Sequence, residues 1–160
     1  MNGKTLIATA LLALPTTATS AQTMPAPTYV MKAGAGDLYE RQASGILLGS
    51  SNAKIRDFAQ RMIHDHGEST AEVKSAAIQA HLKVAPPKLT QMQARDLAAL
   101  RRVQGPARDA LYIRQQKAVH QDALVLHSGY ARDGRVAPLK MAASHIVPVV
   151  QHHIEMLDAM

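Results

Sequence analysis

Four side chains with metal-ligand chemistry, Glu40, His66, His120 and His153, fall one on each of four segments that have the periodicity of amphipathic helices. A carboxylate or imidazole removed from water is costly unless something pairs with it, and a divalent metal is a common partner. His66 follows Met62 by four residues and Ile63 by three, and precedes Val73 by seven, so its ring belongs to an apolar stripe. His153 is three after Val150 and seven after Ile146, while Glu40 is seven from both Ala33 and Leu47. His120 is seven after Ile113 and four before Leu124, with Gln116 and Lys117 on the same side. These four residues are the expected ligand set.

The chain has no cysteine, so any metal must be held by nitrogen and oxygen. Imidazole with carboxylate suits zinc, iron, copper, manganese or nickel, and the sequence does not select among them. His64, Asp65 and Glu68 surround His66, and one of them could orient it through its second nitrogen; otherwise they form exposed polar surface. His145 and His152, seven apart, could make a second, shallower site, but with Ser144 and Gln151 nearby they are placed to face water; His81 stands where a helix dipole favours a cation, and His127 has no evident role. Met62, Met141 and Met156 occupy core-type positions, where thioethers fill irregular gaps.

The elements carrying these groups are all helical. Val30, Ala33, Leu38, Ile46 and Leu47 mark a first helix from about Tyr29 to Leu48, weakened by Gly34 and Gly36. Gly49 to Asn52 form a turn, with Ser51 or Asn52 as N-cap of a second helix. Its stripe, from Ile55 and Phe58 to Ala77 and Ala80, extends to about Leu82. Pro86-Pro87 ends it, and Thr90 caps a short helix through Leu97 and Leu100 to about Gln104. A third long helix runs from about Ala107 to Ala131 after Gly105-Pro106, with Leu111, Ile113, Val119, Leu124 and Leu126 apolar. Asp133-Gly134 then turns the chain into a fourth, from Val136 to Leu157, kinked at Pro148. No alternating β-type run is present.

Two short turns and one long connector make two antiparallel hairpins joined by a crossover, so the expected fold is an all-α, ferritin-like four-helix bundle with a short extra helix in the crossover. Partners across a hairpin should be equidistant from its turn. The midpoint of positions 40 and 66 is 53, beside Ser51-Asn52, and that of 120 and 153 falls at 136 to 137, just past Asp133-Gly134. Each offset is about two residues, roughly 3 Å of helix rise. Within each hairpin the two groups therefore share a height; the register between hairpins stays open.

Residues 1–21 have the layout of a secretory signal: Lys4, an apolar run from Leu6 to Leu14, then Pro15 and small residues to Ala21. The run falls short of the about 20 residues that a membrane span needs. Cleavage near Ala21 would leave a leader over 22–28, a domain over 29–158 and no transmembrane anchor, in the periplasm or outside the cell. The net charge is +6, but the basic residues are scattered, and with one Phe, four Tyr and no Trp the chain lacks stacking platforms, so nucleic acid is not expected. A weak attraction to anionic envelope surfaces is the expected consequence of the charge.

The stretch from Gly45 to His66, the segment Tyr112 to His120 and the terminal VPVVQHHIEML together resemble a bacterial exported family, domain of unknown function 4142. The resemblance spans roughly residues 28–158 and rests most on Phe58-Ala59, Met62, Asp65-His66, the break from Gly105 to Tyr112, and Pro148 five residues before His153. It implies a ferritin-like helical fold and export, and it places Glu40, His66, His120 and His153 on the family's recurrent acidic and histidine positions. Val119 and Arg108 depart from its pattern, which has Asp before the third-helix histidine and often an aromatic residue before Asp109.

The leading functional expectation is non-catalytic binding of a divalent transition metal in the bundle core, with an envelope stress role. Its alternatives are a metal-free structural or interaction module of the cell envelope, and a metal-dependent oxidase. A di-iron catalyst needs several Glu ligands and two Glu-x-x-His motifs, of which the chain has none. There is no nucleophile constellation, phosphate-cradling loop or nucleotide motif.

Overall fold

The computed structural model describes residues 23–160. The signal-like segment 1–21 lies outside them. Five helices follow in order: α1 (Ala26–Leu47), α2 (Ala53–Gln79), α3 (Gln91–Arg102), α4 (Gly105–Asp133) and α5 (Ala137–Asp158), with no strand among the described residues.

The four long helices form a ring in which α1 packs on α2 and α4, and α5 packs on α2 and α4; α3 lies over α1 and α4. Ser50, in the α1–α2 turn, donates from its hydroxyl to Asp109 in the first turns of α4 at 2.8 Å, so α4 starts where α1 ends. At the opposite end Tyr29 meets His127. Adjacent helices are thus antiparallel all round the ring, and the connector with α3 must climb the bundle's full height, as the ferritin-like expectation requires.

Helix ends follow local chemistry. Pro25 is the N-cap of α1 and Pro27 sits in its first turn, where a missing N–H costs nothing, so α1 starts three residues before the apolar pattern does. The Asn52 side chain accepts from the Lys54 N–H at 3.0 Å, and Thr90 with Gln93 completes a capping box on α3. The second helix ends at Gln79, short of the expected Leu82. His81 there has φ +56, with its N–H bonded to the Ile78 carbonyl and that of Leu82 to the Ala77 carbonyl, both at 2.9 Å. His81 is therefore a left-handed stop residue and not a dipole partner. Gly34 is where the connector crosses α1: a Cβ there would lie 3.1 Å from Pro87 Cβ. Helix α5 continues through Pro148, which is exposed together with Ser144, the residue whose carbonyl loses its donor.

The core is split. One apolar cluster gathers Tyr29, Ala33, Val73, Ala77, Tyr130, Leu139, Ile146 and Val150; the other gathers Tyr39, Ala43, Leu47, Ile55, Phe58, Met62, Tyr112 and Leu157, with Leu97 and Leu100 from α3. Tyrosines and alanines form much of α1's inner face, whereas Leu38 and Ile46 are only half-buried. On α4 the inner row is Tyr112, Gln116, His120, His127 and Tyr130, which leaves Leu111, Ile113, Val119, Leu124 and Leu126 on its flanks. Met141, a core position by spacing, is 59% exposed, because the inner face of α5 there is Leu139, Ala142 and Ala143.

His81 holds a backbone conformation that costs an L-residue about 1–2 kcal/mol, part of which glycine's entropy in the unfolded chain offsets. His81→Gly is expected to stabilise the fold by about 0.5–1 kcal/mol in a denaturant titration. A loss of stability would contradict the stop-residue reading.

Candidate metal centre

Between the two apolar clusters lies a buried polar layer: Asp37 and Glu40 from α1, His66 and Ser69 from α2, Gln116 and His120 from α4, and His153 from α5. His120 and His153 are 0% exposed, Glu40 and Asp37 3%, and His66 6%. The two hairpins are in register, because the imidazoles of His66, His120 and His153 have ring centroids 5.4–5.7 Å apart. One nitrogen from each of these three rings lies within 4.8 Å of the others.

Each ring is held from behind. His66 Nδ1 lies 2.8 Å from Asp37 Oδ1, His120 Nδ1 2.9 Å from the Gln116 carbonyl, and His153 Nε2 2.9 Å from Asp65 Oδ2. All three partners are acceptors, so the ring nitrogens facing them carry the protons. In the neutral rings the opposite nitrogens, His66 Nε2, His120 Nε2 and His153 Nδ1, are bare lone pairs, and all three are buried with no hydrogen-bond partner. Three such acceptors turned on one another form a set that only a donor or a cation satisfies.

Glu40 stands beside this set and not inside it. Its Oε1 is 3.6 Å from His120 Nδ1, on the protonated side of that ring and too long for a hydrogen bond, and its Oε2 has no partner. Of the four expected ligands the structure therefore brings three imidazoles together and leaves the carboxylate as a neighbour.

Electrostatics keep two of the rings in ligand form. Burial pushes His120 down to about 3, helped by the charge of His66, and burial pushes His153 down to about 4 against the opposing pull of Asp65. Burial also acts downward on His66, but the Asp37 hydrogen bond and the charges of Glu40, Asp37 and Asp65 outweigh it, so His66 is raised. Glu40 is pushed up to about 7, chiefly by burial.

Other residues fall differently from their sequence reading. Asp65 orients His153 and not its neighbour His66; the orienting residue of His66 is Asp37, whose second oxygen accepts from the Thr70 hydroxyl at 3.0 Å. The signal for Asp37 was its place three residues before Glu40, on the same face of α1. Gln116 is buried, with both amide atoms unpartnered. His127, without a role by spacing, is buried and bonds Tyr29 Oη at 2.9 Å, while Tyr29 stacks on Tyr130 at 3.9 Å. His145 and His152 are exposed, as expected.

Residues 12–160 match the family described as Domain of unknown function (DUF4142), and the chain belongs to that family. No curated protein matches the sequence. The fold is similar to the crystal structure of a DUF305 fragment from Deinococcus radiodurans, with a TM-score of 0.72 and 13% identity over 87% of this chain and 97% of that one.

The depressed imidazoles set an acid limit on the metal-free fold. His120, His127 and His153 all titrate below 6.5 when folded, at about 3, 4 and 4, so the unfolded chain takes up their protons first. Glu40, raised from 4.5 to about 7, acts the other way within this range but is one group against three, while the stabilisation from His66, raised above 6.5, is already in place before the range begins. The thermal midpoint of metal-free protein is expected to fall as pH drops from 6.5 towards 4, the window those shifts define. A flat or rising midpoint over that window would contradict the assignment of neutral, buried rings.

Proposed function

We propose that this chain binds one divalent transition metal in the bundle core, through His66 Nε2, His120 Nε2 and His153 Nδ1, as an exported, non-catalytic metal-binding protein with a role in envelope stress. The carrying observation is the convergence of three unpartnered, buried lone pairs whose tautomers are set by Asp37, the Gln116 carbonyl and Asp65.

The donor set suits zinc and its neighbours. A tetrahedral ion with bonds of about 2.0–2.1 Å holds its nitrogens about 3.4 Å apart, so modest ring movements close the shell from the present spacing. Three protein ligands leave one position, for which Glu40 is the adjacent carboxylate. Zinc, iron, copper, manganese and nickel are all compatible with such a set. Glu40 is the one carboxylate beside the rings that does not already hold a ring by a hydrogen bond, as Asp37 and Asp65 do, and no Glu-x-x-His is present, which favours binding over di-iron oxidase chemistry.

The signal-like first 21 residues and the absence of cysteine support the periplasm or the cell exterior. None of the described helices is long and apolar enough to cross a membrane. The scattered basic residues support a weak association with anionic envelope surfaces and no nucleic-acid partner.

Equilibrium dialysis against each of the five metals, followed by elemental analysis, should give about one ion per chain for at least one of them. The His66→Ala, His153→Ala double variant should lose it. Asp37→Ala should weaken binding by about 10–100-fold, because His66 loses the acceptor that fixes its tautomer. Absence of stoichiometric uptake by the unmodified chain, or full uptake by the double variant, would contradict the proposal.

A further inference from the structure

Ions must reach rings that are almost wholly sealed from solvent, in a protein whose net charge of +6 repels them. Among the described residues one other trio has ligand atoms within 4.8 Å of one another: His64, Asp65 and Glu68, on the outer face of α2. His64 and Glu68 are four residues apart on the helix and share a face, with His64 Nε2 3.6 Å from Glu68 Oε1 and His64 Nδ1 2.8 Å from Asp65 Oδ1. Asp65 belongs to both sites. Its Oδ1 faces His64 outside, while its Oδ2 holds His153 inside at 2.9 Å.

A cavity of about 400 Å³ between α2 and α5 adjoins this trio. Asp65, Glu68, Glu72, His145 and His152 stand on its wall together with buried His66, whose Nε2 is unpartnered. Ser69 also lines it, and its hydroxyl is buried without a partner. Three carboxylates face one permanent cation there, Arg61, so the mouth is locally negative on a positive protein.

From this we infer that His64, Asp65 and Glu68 form an outer capture site for the divalent cation, and that the α2–α5 cavity is its path to the three inner imidazoles. This rests on the metal-binding reading above. An exposed imidazole with two carboxylates replaces part of the ion's water shell at the surface, before the drier inner set takes the rest. A larger cavity, about 720 Å³ between α1 and α4, also reaches Glu40 and His66. Its two histidines, His66 and His127, are both buried, and no ligand trio stands at its mouth. Asp96, Asp122 and Asp133 also line it, but among the described residues no three ligand groups on its outer wall come within 4.8 Å of one another, so it offers no comparable chelating cluster.

Stopped-flow loading with Co(II), read by visible absorption of the bound ion, tests the route. A His64→Ala, Glu68→Gln double variant touches exposed residues only, and is expected to load about tenfold more slowly while reaching the same equilibrium affinity. Asp122→Asn, in the wall of the α1–α4 cavity, should load like the unmodified chain. Equal rates for the double variant, slowing by Asp122→Asn, or an affinity loss that matches the rate loss would each overturn the capture site. An unmodified chain that takes up no cobalt would overturn the metal-binding reading itself, and the capture site with it.

Discussion

The fold is organised by one costly arrangement: a layer of ionisable and amide groups buried at mid-height between two apolar clusters. Each unsatisfied buried acceptor costs about 1–3 kcal/mol, and the layer holds several of them on neighbouring helices. Such a layer persists only with every supporting contact in place. Register is the first requirement, because a shift of one residue along any helix turns its ring by about 100° and out of the set. The antiparallel ring of helices, the two short turns and the tyrosine contacts above and below hold that register. Ser44 with Tyr112 and Tyr39 with Gln115 secure one side of the layer; Tyr29 with His127 secures the other.

The supporting residues explain why the layer suits a metal better than a simple polar core. In a polar core each donor meets an acceptor, and the network closes on itself. Here Asp37, the Gln116 carbonyl and Asp65 take the proton-bearing side of each ring, so in the neutral rings only acceptors face inward. The DUF305 fragment shares this chain's fold, and within that fold the three tautomers set which ring nitrogens face inward.

Much of this was legible in the sequence, and the parts that were not have physical reasons. Helix number, the two tight turns and the crossover followed from glycine, proline and capping residues, whose effects are local. His66 and His153 were legible because aliphatic residues flank them at helical spacing. The inner row of α4 was not, since it consists of Tyr112, Gln116, His120, His127 and Tyr130, which read by hydropathy as a mixed face while the aliphatic residues line its flanks. Glu40 was drawn into the set by its height and face, but neither quantity reports that its oxygen lies on the protonated side of His120. Asp37 and Asp65 went unassigned to their rings because pairing across helices depends on side-chain direction, which periodicity does not carry. The early end of α2 reflects a left-handed histidine, a conformation for which glycine is the usual marker.

The most direct test of convergence is X-ray absorption spectroscopy on the zinc-loaded chain. Three imidazole nitrogens at about 2.0–2.1 Å with one further light ligand are predicted, and the imidazole scattering should fall by one ring in His120→Ala. A shell dominated by oxygen, with one imidazole or none, would mean that the buried rings do not hold the ion and would contradict the account.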